Sequence, residues 1–386
     1  MILVFDTSAL SNRLRYSGIH QYSATLLREF QKLAVSNHSI GLRVFSCNGY
    51  SDELRSLPSA GIKILHASGV QHTRYWALGG LVLAASRTDA ELVFAPSFYT
   101  CPWGPLPTVV TIHDVTPVVS PTWSGWRNRE ERAFLWHAAK LASRLIADSE
   151  CTKNDLGRLY GLAAEKTSVV YLGYDKGRFN ATAAEQQEQR AVFARCRIRS
   201  PYILHHGTIQ PRKNLKRLIE AYRLLTERNP DLGLDLVLAG PLGWQFDEVV
   251  RAANEPAESG RVVLTGPVTE DELSFLVKGA TLCVVPSLYE GFCLPMVEAM
   301  ACGVPTIASN TSCLPEVSGG VLRYFDPLST EHMAATMEQA LCDSTVRKEL
   351  AANGIERAAE FSWERCARET LDILVSCHEQ LYMGRH

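Results

Sequence analysis

The stretch that decides the fold reads Leu282-Cys-Val-Val-Pro-Ser-Leu-Tyr-Glu290-Gly-Phe-Cys-Leu-Pro-Met-Val-Glu298-Ala-Met-Ala-Cys-Gly303-Val-Pro-Thr-Ile-Ala-Ser309. An apolar run, a polar loop, a helical segment and a second β-branched run follow one another, which predicts a strand, a loop, a helix and a strand. Pro295 stands where the first turn of a helix tolerates proline, and Gly303 stands where a helix ends. Units of this kind build parallel sheets covered by helices.

The same alternation of strands and helices runs along the whole chain. The strands predicted in the first half are Ile2–Phe5, Leu42–Ser46, Ile62–His66, Leu92–Ala95, Thr108–Ile112, Arg144–Ala147 and Ser168–Tyr171. Those predicted in the second half are Tyr202–His205, Asp235–Ala239, Val262–Thr265, Leu282–Val285 and Thr306–Ala308. The polar stretch Asp175–Ile198 separates the two series and is the predicted linker. We therefore expect an α/β protein with two doubly wound, Rossmann-like domains facing across a cleft.

Composition narrows the class of protein. A hydrophobic fraction of 46% with 21% charged residues is typical of a globular chain. No apolar run reaches the roughly 18–20 residues of a membrane span. The segment Met1–Asp6 lacks the basic start of a signal peptide, and the eleven cysteines show no C-x-x-C spacing, so we expect reduced thiols in the cytoplasm. There is no basic stripe with interleaved aromatics, so no nucleic-acid partner is predicted.

The loop His205-His-Gly-Thr-Ile-Gln-Pro-Arg-Lys-Asn214 follows a predicted strand and leads into an amphipathic helix beginning at Leu215. Asn214 is predicted to cap that helix. Arg212 and Lys213 then lie beside the positive end of a helix, where two cations repel each other unless an anion joins them. A phosphate group fits this position. The alternative is an ordinary solvated turn.

Two carboxylates lie in the quoted stretch. Glu290 falls in the loop and Glu298 about one turn into the helix, so both can face the same opening. Gly291 lets a ligand approach the backbone closely, and the N–H groups that follow can bind hydroxyl or phosphate oxygens. A carboxylate accepts two hydrogen bonds at a fixed geometry, which suits a pair of sugar hydroxyls. Favourable charge near a helix start is the alternative explanation for Glu298.

These motifs together resemble the retaining GT-B glycosyltransferases of family 4, whose E-x7-E motif corresponds to Glu290 and Glu298. G-T-I-Q-P-R-K-N resembles the donor-phosphate loop of that family, and the segment from Gly18 resembles its opening glycine loop. The resemblance implies an acceptor-side domain at 1–180 and a nucleotide-sugar domain at 181–364. It also implies a final helix, about 365–386, that crosses back to the first domain.

The resemblance also implies roles for individual residues. Arg212 and Lys213 would neutralise the donor diphosphate, Glu298 would hold the ribose, and Glu290 would contact the transferred sugar. His113 would reach the sugar or the acceptor, so His113, Glu290, Arg212 and Lys213 are the predicted catalytic residues. The predicted donor-binding residues are Gly18, Gly207, Thr208, Arg212, Lys213, Val268, Glu290, Gly291, Phe292, Cys293, Leu294 and Glu298.

Some assignments stay open. A histidine after a strand is often structural, but the H-D-x-x-P context of His113 favours a functional role, whereas His66, His205 and His206 are interpreted as packing or edge residues. Asp114 is predicted to orient its loop. The aromatic residues Tyr75, Trp76, Phe98, Tyr99, Trp103, Trp123 and Trp126 are candidates for sugar stacking, for membrane contact or for core packing. Cys293 and Thr208 depart from the family, which commonly has Gly at the first position and, in one branch, Arg at the second.

The expected reaction is metal-independent hexosyl transfer, since the sequence contains no D-x-D triplet and needs no cofactor beyond the nucleotide-sugar. The motifs are most similar to bacterial mannosyl- and rhamnosyltransferases that use GDP-sugars, such as GDP-mannose, in polysaccharide biosynthesis. A UDP-sugar is the alternative donor. The expected acceptor is a saccharide or a lipid-linked saccharide, with peripheral contact to the inner membrane face. The rivals are an epimerase of the same fold and a two-lobed nucleotide-sugar binding protein without catalysis; an NAD enzyme would show G-x-G-x-x-G, which is absent.

Overall fold

The structure is a computed structural model that describes residues 1–10, 18–36, 41–46, 62–66, 80–99, 102–119, 126–199, 201–256 and 260–383. The chain divides into two compact units. The first unit comprises Met1–Gly173 together with Ser362–His386, and the second comprises Tyr174–Phe361. The second unit therefore begins at Tyr174 rather than at the predicted residue 181. The chain returns to the first unit at Ser362 rather than at about residue 365.

The early boundary follows from how the segment after Gly173 packs. Phe179 is fully buried, and its N–H donates to the carbonyl of Asp175. Arg178 pairs with Asp271 at 2.7 Å, and Asp271 lies in the second unit. These contacts attach the segment to the second unit rather than leaving it as a linker.

The first unit contains a seven-stranded parallel sheet in the order β3-β2-β1-β4-β5-β6-β7. Its strands are β1 Ile2–Asp6, β2 Gly41–Ser46, β3 Ile62–His66, β4 Leu92–Ala95, β5 Thr108–Ile112, β6 Arg144–Ala147 and β7 Thr167–Val169. Strands β4 and β5 are buried along their whole length, as expected for a parallel sheet covered on both faces. The predicted strands are confirmed, with small differences at their ends.

Helices connect these strands. They are α1 Gly18–Ser36, α2 Leu81–Ala85, α3 Thr116–Val119, α4 Trp126–Leu141 and α5 Glu150–Tyr160, with 3-10 turns at Ser8–Leu10 and Ala164–Lys166. Helix α5 shows clear terminal signals: the Ser149 hydroxyl accepts from the Thr152 N–H, and Gly161 ends the helix in a left-handed conformation.

The second unit contains a six-stranded parallel sheet in the order β10-β9-β8-β11-β12-β13. Its strands are β8 Tyr202–His206, β9 Asp235–Ala239, β10 Arg261–Gly266, β11 Leu282–Val285, β12 Thr306–Ser309 and β13 Arg323–Phe325. The order reverses between β8 and β11, and ligands of such sheets bind at the carboxyl ends of strands beside this reversal. The two loops singled out from the sequence follow these two neighbouring strands.

Helices also surround the second sheet. They are α6 Gln186–Cys196, α7 Leu215–Arg228, α8 Asp247–Asn254, α9 Glu270–Lys278, α10 Leu294–Ala301, α11 Leu314–Val317, α12 Thr330–Cys342 and α13 Ser344–Ala359, with 3-10 turns at Pro211–Lys213 and Pro230–Leu232. Helix α6 lies inside the predicted linker. Its buried Val192 and Cys196 and its packing against α9 make it part of the second unit, so the linker prediction was wrong.

The last helix, α14 Trp363–Met383, belongs to the first unit and packs against α1. This confirms the predicted return of the C-terminal helix. The Trp363 ring lies 6.2 Å from the Tyr22 ring, between centroids, and Leu374 is fully buried. Within the described ranges, no helix combines the length and apolar character that a membrane span needs.

Candidate active site

The loop after β8 is shaped by backbone conformations that favour glycine. Gly207 has a φ of 130° and Gly240, after the neighbouring β9, a φ of 140°. A Cβ on Gly240 would lie 2.3 Å from the Gly207 carbonyl oxygen, so the two loops approach each other too closely for a side chain. This contact fixes where the loop starts on its way to Arg212.

Asn214 stands before α7 but does not cap it with its side chain. Its φ of 57° and ψ of 31° are left-handed, whereas a capping side chain needs an extended backbone. The Asn214 amide instead donates to the Pro327 carbonyl at 2.8 Å and accepts from Arg217 at 2.9 Å. The side-chain cap predicted from the sequence is therefore wrong, and Asn214 ties the loop to the segment after β13.

Arg212 and Lys213 both contact Glu290. The Arg212 Nη1 lies 2.5 Å from Glu290 Oε2, and the Lys213 Nζ lies 2.5 Å from Glu290 Oε1. The Ser287 hydroxyl donates to the same Oε1 at 2.7 Å. We call Arg212, Lys213 and Glu290 the ionic triad. The sequence predicted these residues separately; the structure brings them into direct contact, together with Ser287, which the sequence did not indicate.

The ionic triad is buried, since Lys213 is 5% exposed and Glu290 is 4% exposed. Burial raises the pKa of Glu290. The charges of Arg212 and Lys213, with hydrogen bonds from Lys213 and Ser287, outweigh burial and lower that pKa to about 2. Glu290 is therefore an anion at neutral pH, held between two cations.

Backbone contacts join the two loops around the ionic triad. The Leu288 N–H donates to the Arg212 carbonyl at 2.8 Å, and the Arg212 guanidinium donates to the Tyr289 carbonyl at 3.1 Å. The Glu290 N–H donates to the Ser312 hydroxyl at 3.1 Å. The position of Glu290 is consequently set by both neighbouring strands, β8 and β11, and by the loop after β12.

Helix α10 begins at Leu294, four residues after Glu290. The preceding segment from Gly291 to Cys293 is buried, and Cys293 has a φ of 75°, a left-handed conformation that is unusual for a residue with a side chain. The N–H groups at this helix start carry partial positive charge. Leu294 is 7% exposed, and Gly303, with a φ of 69°, follows the end of the helix as predicted.

Glu298 lies in α10 beside His206, the last residue of β8. The His206 Nδ1 is 3.7 Å from Glu298 Oε2, and its Nε2 is 3.1 Å from the Pro295 carbonyl. Burial, followed by electrostatic repulsion between His206 and the neighbouring His205 when the rings are protonated, lowers the pKa of His206 to about 3, so the ring is neutral. Its Nε2 then donates to Pro295 and its Nδ1 faces Glu298 as an acceptor. The sequence predicted a packing or edge position for His206 and no contact with Glu298; its place just before Gly207 was the available signal.

Burial raises the pKa of Glu298 to about 8, and the charges of Glu270 and Asp175 add to this effect. The side chain is thus a neutral carboxylic acid at pH 7, which can donate one hydrogen bond as well as accept others. His205 is also buried, and its Nδ1 lies 3.0 Å from the Val284 carbonyl oxygen, which agrees with the packing role predicted for it. The side chain of His66 lies outside the described residues.

The remaining predicted donor residues of the second unit are half-buried. Thr208 lies in the loop after β8, and its methyl group sits against Gly243. Val268 lies two residues after the left-handed Gly266 that ends β10, and before α9, whose N-terminus is a capping box formed by Thr269 and Glu272. Thr208 and Val268 both lie in loops that leave the carboxyl ends of strands.

His113 and Gly18 belong to the first unit. The His113 Nδ1 is 2.7 Å from Asp148 Oδ2, and its Nε2 is 2.8 Å from the Pro96 carbonyl. Burial opposes charge on this ring, but Asp148 and the Pro96 carbonyl raise the pKa of His113 above its ordinary value. Both ring nitrogens therefore already have partners within the unit. Asp114 accepts from the Thr116 N–H at 2.8 Å, which confirms its predicted role in orienting the loop.

Gly18 is the exposed first residue of α1. Of the aromatic candidates, Phe98 is buried and stacks on Tyr99 with ring centroids 4.6 Å apart, so it is a core residue. Trp103 is 71% exposed. Tyr75, Trp76 and Trp123 lie outside the described residues, as does the side chain of Trp126. No group of three or more His, Cys, Asp and Glu side chains in the described part of the chain is arranged to hold a metal ion.

Two Rossmann-like units with parallel sheets, joined by a returning C-terminal helix, define the GT-B class of glycosyltransferases. A family model described as Glycosyltransferase Family 4 matches residues 16–178, and one described as Glycosyl transferases group 1 matches residues 191–357. The chain therefore belongs to the GT-B glycosyltransferases of family 4.

Known proteins of this family resemble the chain over most of its length. It is 27% identical over 398 residues to O-antigen chain mannosyltransferase B of Escherichia coli, covering 96% of this chain and 99% of that protein. It is 30% identical over 351 residues to a D-inositol 3-phosphate glycosyltransferase of Frankia alni, covering 86% and 80%. The structure of Anabaena HepE in complex with UDP and glucose has the same fold, with a TM-score of 0.72, 17% identity and coverage of 97% and 100%.

Proposed function

We propose that this glycosyltransferase moves mannose or a related deoxyhexose from a GDP-sugar to a saccharide or lipid-linked saccharide, with retention of anomeric configuration, in polysaccharide assembly. The observation that carries this proposal is the buried ionic triad, in which two cations and a carboxylate meet at the carboxyl ends of β8 and β11. The similarity to an O-antigen chain mannosyltransferase along nearly the whole chain supports mannose.

In the proposed reaction, Arg212 and Lys213 bind the donor diphosphate, and Glu290 contacts the transferred sugar. Glu298 binds the ribose and Val268 lies near the base. The bond between the anomeric carbon and the phosphate oxygen breaks as the acceptor oxygen bonds to that carbon from the same face. The acceptor proton passes to the departing phosphate. The two cations stabilise the charge that develops on the phosphate, which is commonly the largest contribution to catalysis.

The proposed enzyme needs no metal ion, because protein cations occupy the position at which a divalent cation would otherwise neutralise the diphosphate. Turnover should therefore be unchanged by a chelator such as EDTA. Loss of activity in EDTA that returns with magnesium would contradict this part of the proposal.

The test of the donor is a comparison of GDP-mannose, GDP-rhamnose and UDP-glucose with the full chain and a mannan or lipid-linked acceptor. We expect the fastest transfer from GDP-mannose, and an α-linkage retained from the donor in the product's NMR spectrum. UDP-glucose is the second candidate, because a structure of similar fold was solved with UDP and glucose. Release of a nucleotide-sugar product without transfer would favour the epimerase instead.

The proposal includes peripheral contact with the cytoplasmic face of a membrane. Helix α4 has an exposed stripe of basic and apolar side chains, formed by Arg129, Arg132, Trp136 and Lys140. Trp136 is 47% exposed, and an indole beside basic residues suits an anionic lipid surface. Flotation with phosphatidylglycerol vesicles should carry the wild-type chain and carry less of Trp136→Ala. Equal flotation of both would exclude this surface.

A further inference from the structure

The carboxylate of Glu290 lies between the two cations that would hold a phosphate. We propose that Glu290 is an internal counter-anion that the donor diphosphate displaces, so that diphosphate binding and release of Glu290 toward the sugar are one event. This inference rests on the proposed function and adds a step to it, because it gives Glu290 a role in the unliganded enzyme.

The Glu290 carboxylate already accepts hydrogen bonds from three side chains. Its Oε1 accepts from Lys213 at 2.5 Å and from Ser287 at 2.7 Å, and its Oε2 accepts from Arg212 at 2.5 Å. A carboxylate has about four acceptor positions. Three are therefore taken, and those contacts have to change before the same carboxylate can hold a pair of sugar hydroxyls.

The two cations meet at the Glu290 carboxylate, which lies 2.5 Å from both Lys213 Nζ and Arg212 Nη1. Each cation has further N–H groups, but a diphosphate oxygen that bridges the two cations would take the position that this carboxylate now holds. Lys213 is 5% exposed, so its ammonium cannot turn to solvent while Glu290 keeps its place. The two anions therefore compete for the space between the two cations.

The charges of the ionic triad do not cancel. One carboxylate between two cations leaves the ionic triad with a net charge of +1. A buried cation that loses its partner is costly, so Glu290 leaves when another anion arrives and not before. A diphosphate restores compensation on both Arg212 and Lys213, and the displaced carboxylate is then free to bind the sugar.

The exchange also has a consequence for the end of the reaction. When the sugar has been transferred, Glu290 no longer has its hydroxyl partners, and it competes again for Arg212 and Lys213. Its return favours departure of the nucleoside diphosphate. Glu290 therefore weakens the binding of the product while it strengthens the use of the intact donor.

The test measures binding of GDP and of inorganic pyrophosphate to the full chain by calorimetry. Neither probe carries a sugar, so a residue that only contacts sugar has no effect on them. We expect Glu290→Gln to bind both about tenfold more tightly than wild type, because the competing charge is gone, and to turn over more slowly. Unchanged or weaker binding of both probes would overturn the exchange.

A second variant tests the same exchange in case Glu290→Gln does not fold. Ser287→Ala keeps all three charges and removes one hydrogen bond that holds Glu290, so we expect a gain of about two- to fivefold in affinity for pyrophosphate. Glu248→Gln is the matched control, because Glu248 is an exposed glutamate of the same unit that pairs with Lys216. It should bind both probes as wild type does. No gain in Ser287→Ala, with a folded protein, would also count against the exchange.

The two proposals fail in different ways. If GDP binding does not depend on Lys213, the diphosphate assignment is wrong and the exchange falls with it. If Lys213→Ala weakens GDP binding but neither Glu290→Gln nor Ser287→Ala strengthens it, the proposed function stands and only the exchange is excluded.

Discussion

Single side chains of this protein carry charges that their surroundings decide. Glu290 and Glu298 are eight residues apart in the sequence and both are buried, yet their pKa values shift in opposite directions from the ordinary value of a glutamate. Two cations keep Glu290 ionised, whereas burial without a cation keeps Glu298 protonated. The same residue type therefore serves as a fixed anion at one position and as a neutral hydrogen-bonding group at the other.

Lys213→Ala should lower turnover by at least about a hundredfold, because it removes a buried cation that in the proposed function stabilises the departing diphosphate. Steady-state kinetics with the preferred nucleotide-sugar would measure this. Lys216→Ala, which removes an exposed lysine that pairs with Glu248, is the matched control and should leave turnover unchanged. Near-normal turnover of a folded Lys213→Ala would exclude the phosphate assignment.

Glu298→Gln should gain stability relative to wild type as the pH rises. The pKa of Glu298 is raised from 4.5 in the unfolded chain to about 8 in the folded chain. The stability that the folded state derives from holding this proton is present below pH 4.5 and is lost as the pH rises toward 8. Glutamine does not titrate. We expect the unfolding free energies of variant and wild type to diverge by about 1 kcal/mol or more between mildly acidic and mildly basic pH.

Urea unfolding at several pH values would measure that divergence. Glu248→Gln, at an exposed position, should show no comparable trend. A difference between Glu298→Gln and wild type that stays constant with pH would contradict the protonated state of Glu298.

At the scale of secondary-structure elements, the site depends on neighbouring strands delivering their loops to the same edge of the sheet. Strand β8 pairs with β9 on one side and β11 on the other, and all three run parallel. The Arg212 loop and the Glu290 loop therefore meet although their residues are far apart in the chain. The close approach of Gly240 to Gly207 sets the start of the first of these loops.

Gly240→Ala should destabilise the protein by about 2–4 kcal/mol and weaken binding of GDP. The new Cβ would lie 2.3 Å from the Gly207 carbonyl oxygen, so the loop that carries Arg212 must shift. Gly320→Ala is the control: its φ of 76° is also left-handed, but a Cβ there meets no atom within 4 Å. We expect it to cost about 1 kcal/mol, without loss of GDP affinity. Equal effects of the two variants would argue against the loop contact.

At the scale of the whole molecule, the chain passes between the two units at two places, after Gly173 and after Phe361. Within the first unit these passages lie side by side, since a Cβ on Gly173 would be 2.1 Å from the Trp363 backbone nitrogen. Helix α14 begins at this contact and packs on α1. The absence of a side chain at Gly173 is thus a condition for docking the last helix.

Gly173→Ala should lower the unfolding free energy of the first unit by about 2–4 kcal/mol and expose α14 to limited proteolysis. Gly157→Ala in α5 is the control, because a Cβ there comes no closer than 3.9 Å to another atom, and alanine favours the helix by about 0.5–1 kcal/mol. A Gly173→Ala protein with wild-type unfolding and proteolysis would show that the backbone yields there without cost.

The sequence by itself determined the α/β class, the two series of strands and the family. It also named Arg212, Lys213, Glu290 and Glu298 as candidate site residues, and their roles stay predictions. Those conclusions depend on local patterns: apolar runs long enough to mark a strand, helical spacing, and loops that follow strands. The three-residue β13 and helix α6 were missed because one is too short to leave a periodic signal and the other is polar on most of its surface.

The tertiary structure alone decided how those residues meet. Lys213 and Glu290 are 77 positions apart, and only the pairing of β8 with β11 brings them within 2.5 Å. The contact of His206 with Glu298, the engagement of both nitrogens of His113, and the left-handed Asn214 have the same origin. Side-chain partners and charge states depend on burial and on atoms supplied by distant segments. A sequence pattern names candidate residues, and packing decides what each one touches.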